Sequence, residues 1–223
     1  MDYPLPVIRD VALNTLISGS YPYPGSFGVK VRSDGKIWVW GYAGSTGQTI
    51  LLVFNQAGAV VEQFSSTLGS SAYGATSNRS GSVLAVQGLT KTRISTVNAG
   101  ITTAQDYSQP GTVYGHLAAS DSGDTIVFGS SSGRITTIRR ASSGVPFTLA
   151  YSFNAASAGT TTCLSLSGDG TIIARGSQDQ NNSLITRAAA WRLGTSVQTQ
   201  ILDTTVTGIY GSNFMFDDLS LDY

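Results

Sequence analysis

The chain has 223 residues, 13 basic and 13 acidic, so its formal net charge at neutral pH is zero. Charged residues make up only 12%, against a usual ~25%, which excludes the basic field that non-specific nucleic-acid binding requires. One Glu (Glu62), three Lys (Lys30, Lys36, Lys91) and 26 Gly argue against long solvent-exposed helices and for strands joined by tight turns.

Hydrophobic residues reach 41%, enough for a sizeable core. No window approaches the ~18 apolar residues of a membrane-spanning helix, so no membrane partner is expected. The opening Met1-Asp2-Tyr3-Pro4-Leu5-Pro6 carries no basic stretch followed by an apolar run, and no signal peptide is expected. A single cysteine, Cys163, makes no internal disulfide, which fits a reducing compartment.

In chain order, residues 1–20 hold two strand-like runs, 5–10 and 11–18. The connector Tyr21-Pro22-Tyr23-Pro24-Gly25, stiffened by its prolines, follows. One pattern then recurs: an aromatic-plus-Gly start, a short strand, a turn of Ser, Asp and Gly, and a second apolar strand. Unit one, 27–65, starts at Phe27-Gly28 and turns at Ser33-Asp34-Gly35 into Lys36-Ile37-Trp38-Val39-Trp40. Unit two, 72–107, starts at Tyr73-Gly74 and turns at Arg79-Ser80-Gly81. Unit three, 114–153, starts at Tyr114-Gly115 and turns at Asp121-Ser122-Gly123. Unit four, 161–202, holds Cys163 in the Gly slot and turns at Gly168-Asp169-Gly170. Each of these four continues into two more strand-length runs bounded by turn residues. Unit five, 210–223, starts at Tyr210-Gly211, turns at Asp217-Asp218 and stops after its second strand.

The turn glycines Gly35, Gly81, Gly123 and Gly170 lie 46, 42 and 47 residues apart, and Asp218 follows 48 later. A period of about 40–50 residues with four short strands per unit predicts an all-β fold, a β-propeller of five blades in one domain. Two strands are missing from the last unit and two are spare at the start. The expected architecture therefore pairs residues 1–20, as outer strands, with 210–223, as inner strands, in one closing blade that removes an exposed edge. The pattern resembles the β-propeller superfamily, especially WD40-like and other Ser-x-Asp-Gly blade repeats, along nearly the whole chain. The Trp-Asp dipeptide and Gly-His signature of WD40 repeats are absent from the equivalent positions. In size the chain also resembles five-bladed propellers such as tachylectin-type lectins, although no sugar-site motif carries across.

Few residues offer chemistry. His116, the only histidine, reads as a strand residue near the channel, in the slot of Val29, Ala75 and Ser212 elsewhere. Cys163 reads as a small buried residue in the slot of Gly28, Gly74, Gly115 and Gly211. Together they fall short of a zinc site, and no metal or other cofactor is expected. Asp34, Asp121, Asp169 and Asp217 all fall in inner hairpin turns, on one rim, where Asp bonds local backbone. The same carboxylates are the candidates for a channel-mouth glycoside hydrolase. Arg134, Arg139 and Arg140 read as outward-facing strand residues. Trp38 and Trp40 share a face and read as core; Tyr21 and Tyr23, in the connector, are the better exposed contacts.

The leading expectation is a non-enzymatic structural or docking protein of a large assembly, with a virus particle (a phage tail or capsid accessory protein) as the favoured case. It rests on low charge, Gly/Ser/Thr/Ala-rich strands and no catalytic constellation. Partners would be other protein subunits, meeting a surface that includes Tyr21, Tyr23, Asp34, Asp121, Asp169 and Asp217. The expected location is the virion, otherwise the cytoplasm. A lectin-like module binding a glycan is the alternative, followed by the hydrolase.

Overall fold

The computed structural model describes residues 28–32, 34–43, 48–67, 72–88, 91–98, 101–108, 116–130, 132–155, 159–179, 185–194 and 198–207. They form four antiparallel sheets of four strands each, every one a simple meander. The first sheet is β1 (Gly28–Val31), β2 (Ile37–Ala43), β3 (Gln48–Phe54) and β4 (Val60–Thr67). The second is β5 (Ala72–Ser77), β6 (Val83–Gly88), β7 (Lys91–Asn98) and β8 (Ile101–Ser108). The third is β9 (Leu117–Ala119), β10 (Thr125–Gly129), β11 (Arg134–Arg139) and β12 (Thr148–Asn154). The fourth is β13 (Gly159–Leu166), β14 (Ile172–Asp179), β15 (Ile185–Leu193) and β16 (Gln198–Thr207). The four sheets span 28–67, 72–108, 117–154 and 159–207. The expected closing blade, 1–20 with 210–223, lies outside the described residues, as do Tyr21, Tyr23 and Asp217.

Successive sheets stack face to face, and period-two alternation decides which neighbour each side chain meets. In β10, Ile126 and Phe128 pack with Val83, Ala85 and Ile94 of the second sheet. Val127, between them, points the other way and packs with Ile173 and Trp191 of the fourth. Because both faces of this strand are covered, all five of its residues are buried. The same rule places Trp38 and Leu51 of the first sheet against Leu84 and Val86 of the second, with Trp40 packed alongside. Full burial of each such side chain contributes about 1.5–3 kcal/mol relative to exposure. The initial strands lie innermost, with β9 against both β5 and β13. Meanders stacked in this way, first strands together, make a propeller-like fold.

Register, counted from each inner turn, corrects one expectation. Cys163 pairs with Gly176 and Gly74 with Gln87, while the His116 carbonyl accepts the Gly129 N–H at 3.0 Å. His116 therefore shares the slot of Gly28, Gly74 and Cys163, and Leu117 is the counterpart of Val29 and Ala75. The cause is a spacing difference. Gly115 lies eight residues before its turn glycine, whereas Gly28, Gly74 and Cys163 lie seven before theirs. Counting from the aromatic-Gly start slips the third unit by one residue, and one residue exchanges faces.

The inner turns repeat one hydrogen-bonded frame. Gly81, Gly123 and Gly170 donate to the carbonyls of Asn78, Ser120 and Ser167 at 3.0, 2.9 and 2.8 Å. Side chains of those same residues accept the N–H five residues on, from Val83 (2.8 Å), Thr125 (3.1 Å) and Ile172 (2.8 Å). Gly81 has φ +67°, the expected reason for glycine there. A second reason comes from the neighbouring sheet. A Cβ on Gly81 would sit 2.8 Å from both Arg32 Cα and Val31 O, backbone of the preceding turn. Gly144, at φ +87°, would bring its Cβ no nearer than 3.6 Å to Asn98 Nδ2. Ala at Gly144 should therefore cost about 1–2 kcal/mol for the left-handed backbone alone. Ala at Gly81 must also displace backbone, and its urea midpoint should fall well below that of the Gly144 variant. Equal losses in the two variants would mean that the turns do not nest.

Candidate functional site

The rim made by the inner turns is where the candidate carboxylates gather, and they occupy two different positions. Asp34 and Asp169 hold the third turn position, occupied by Ser80 and Ser122 in the other two sheets. Each accepts the N–H two residues on, from Lys36 (3.2 Å) and from Thr171 (2.9 Å). Asp121 sits one position earlier and works mainly through its backbone. Its N–H donates to Gly168 O at 2.8 Å and its carbonyl accepts Asn78 Nδ2 at 3.2 Å, linking three consecutive turns. Its carboxylate lies 3.5 Å from Arg79, an exposed ion pair of small worth. The structure thus brings Asp121 to both neighbouring turns and keeps Asp34 and Asp169 within their own.

Protonation follows from those contacts. Partial burial pulls the Asp34 carboxyl upward. The Lys36 N–H, the Arg32 guanidinium at 2.5 Å and the charges of Arg32 and Lys36 together outweigh that pull, and its pKa ends below the ordinary value. Asp169 also lies below its ordinary value, chiefly because the Ser167 hydroxyl donates to it at 2.6 Å, with Thr171 N–H and hydroxyl adding to the effect. A glycosidic general acid needs the opposite shift. Burial lowers the pKa of half-buried His116 and favours its neutral form. Among the described residues no group of three or more His, Cys, Asp or Glu is placed to hold a metal ion.

The arginines depart from the outward-facing expectation. Arg140 is buried, donating from Nε to Asp124 at 2.7 Å and from Nη1 to Thr96 of the second sheet at 3.1 Å. Its guanidinium also lies 4.8 Å from the Phe147 ring centroid. Arg139 reaches across to Gly170 O of the fourth sheet at 3.1 Å, and Arg134 donates to Ser152 at 2.7 Å. A planar fork with five donors suits a junction where acceptors come from two sheets. Arg175 is buried in the fourth sheet. It donates to the Thr161 hydroxyl at 3.0 Å, which in turn donates to Ser130 O of the third sheet at 3.1 Å. Burial pushes its pKa down to about 10, against a smaller opposing effect of Cys163, so it stays charged at neutral pH.

Sequence reasoning missed a cleft of about 360 Å³ between the second and third sheets. Ile94 and Thr96 wall one side, Val145, Pro146 and Phe147 the other, and Arg140 stands between them. The Gln105 side chain holds it together, donating to Phe147 O at 2.9 Å and accepting Phe147 N–H at 2.8 Å. The Arg139-Arg140 doublet was the available signal, but nothing in sequence sets its face. Trp38, expected as core, is buried, and so is Trp191.

No family model matches the chain, and no curated protein matches it. Among solved structures it is similar to the hydrazine synthase of Kuenenia stuttgartiensis, with a TM-score of 0.61 and 11% identity over 86% of this chain and 52% of that one. It is also similar to a putative 6-phosphogluconolactonase from Bacteroides uniformis, with a TM-score of 0.59 and 13% identity over 85% of this chain and 59% of that one. The chain spans between about half and three-fifths of the length of these structures. At such identities the likeness is one of fold, and a shape shared by 884 matching chains carries no particular activity.

The Asp169 shift sets a pH test. Its folded pKa lies below the unfolded value of about 3.9, so the carboxylate stabilises the fold above that pH. This contribution is lost as pH falls through the folded pKa. Asp169→Asn should have a lower urea midpoint than wild type at pH 6, and the gap should shrink steadily below pH 4. A gap independent of pH would show that the ionised form contributes nothing.

Proposed function

We propose that this chain is a non-enzymatic docking module of a larger protein assembly, a five-bladed ring closed by its own two ends. The observation that carries the functional reading is how its polar chemistry is spent. Asp34 and Asp169 are held as ionised turn acceptors, Asp121 joins three turns, and Arg139 and Arg140 brace sheet against sheet. Groups so engaged position backbone and leave little for acid–base work. Thr- and Ser-rich outer strands, with at most one charged residue each, then supply the accessible surface. A virus particle is the assembly that composition favours, with neighbouring subunits as partners.

Ring closure is supported by the first sheet. Val29 is 66% exposed and Val31 63%, on the face they share with Ile37 and Val39. The counterparts of Val29 in the later sheets, Ala75, Leu117 and Leu164, pack against the preceding sheet. A blade made of 1–20 and 210–223 would cover Val29 and Val31 in the same way. Val29→Asp should then cost about 2 kcal/mol or more, as a buried unpaired charge does. A change within about 0.5 kcal/mol, the usual surface value, would contradict closure.

For the docking reading, the purified protein should be soluble and without hydrolytic activity, and should sediment with particles from its natural source. Recovery only as a free protein, never in an assembly, would overturn it.

A further inference from the structure

We infer that the edge of β8, together with the cleft beside it, is a docking site for an extended, uncharged peptide segment of a partner protein. The inference rests on the docking reading above and names its surface and the chemistry of its partner.

Three of the four outer strands are interrupted. The ladder of β4 on β3 shifts register between Val53 and Phe54, that of β12 on β11 between Thr137 and Ile138, and that of β16 on β15 between Ala190 and Trp191. Bulges twist an edge away from further pairing. The ladder of β8 on β7 runs unbroken from Lys91↔Ser108 to Asn98↔Ile101. β8 ends its sheet, so its outer side has no strand partner among the described residues. Its sequence, ITTAQDYS, contains none of the Lys or Pro that blunt such edges. Its single charge, Asp106, is held by Arg93 at 2.7 and 3.2 Å.

Thr103, Ala104 and Gln105 of this strand also line the cleft. A peptide added beside β8 would place one of its side chains there, as strand addition combines main-chain pairing with side-chain pockets. The cleft favours a neutral hydrogen-bond acceptor. The Arg140 side chain is 3% exposed, and its charge is already met by Asp124 at 2.7 Å. Its Nη2 makes no hydrogen bond among the described residues. A carbonyl matches a free N–H without adding a second negative charge, while Val145 and Pro146 suit the stem behind it. Asn or Gln has that form.

The test is selection of a random twelve-residue phage-displayed library on the full chain, followed by affinity measurement with synthetic copies of the enriched peptides. The expected result is uncharged, β-prone sequences sharing an Asn or Gln. Methylating alternate amides of such a peptide should weaken binding about tenfold or more on wild-type protein, whereas methylating the intervening amides should not. Ala104→Lys and Val145→Glu, both at exposed positions, should weaken it comparably while keeping the wild-type urea midpoint. Failure to enrich, enrichment of acidic peptides, or indifference to amide methylation would each overturn the inference. Concentration-dependent self-association abolished by the same two substitutions would assign the edge to a second copy of this chain and also overturn it. All arms use purified protein, so their failure removes this surface and leaves the docking reading to stand or fall on particle association.

Discussion

Each sheet must bury both of its faces, and that constraint organises the molecule. A strand such as β10 sends Ile126 and Phe128 one way and Val127 the other, and each side finds a different neighbour. Successive sheets then cannot choose register freely, because a slip of one residue would exchange the two sets. Stacking also brings the inner turns close enough that Gly81 faces the backbone of the turn before it. A stack of this kind always leaves two terminal faces, and Val29 and Val31 mark one of them. In the ring proposed above, a closing blade of 1–20 and 210–223 would cover such a face.

The same packing accounts for the use of polar residues. Three arginines of this sparsely charged chain act at sheet junctions. Arg140 links Asp124 to Thr96, Arg175 acts through Thr161 on Ser130, and Arg139 reaches Gly170. Such links fix neighbouring sheets relative to one another and hold side chains in single arrangements. The accessible, weakly charged surface lies at the outer strands and in the exposed loop 141–146. Recognition by main-chain pairing suits a surface of that kind better than recognition by charge.

Much of this was legible in the sequence where the controlling physics is local. Turn chemistry is local, and each of the four described sheets carries one of the spaced glycines, at positive φ, between its first two strands. Trp38 and Trp40 alternate with Ile37 and Val39, and their shared face followed from strand period alone. Non-local features were not legible. Nothing within a few residues of Arg140 says that Thr96, 44 positions away, will accept from it. The close approach of Gly81 to Arg32 belongs to another unit of the chain. The slot of His116 was misplaced because an aromatic-Gly start is a poorer ruler than a turn. Asp121 lies two residues before its turn glycine and Asp169 one before, but only the hydrogen bonds show that this offset makes one a link between turns and the other a turn acceptor.

Closure is the proposition on which the shape as a whole depends, and hydrogen–deuterium exchange followed by mass spectrometry reads it directly. A shared sheet predicts that amides within 5–18 and 213–221 exchange about as slowly as those of the outer and inner strands of the four described sheets. Both segments exchanging within the dead time, while β10 and β14 stay protected, would leave a stack of four sheets with open ends and contradict the ring.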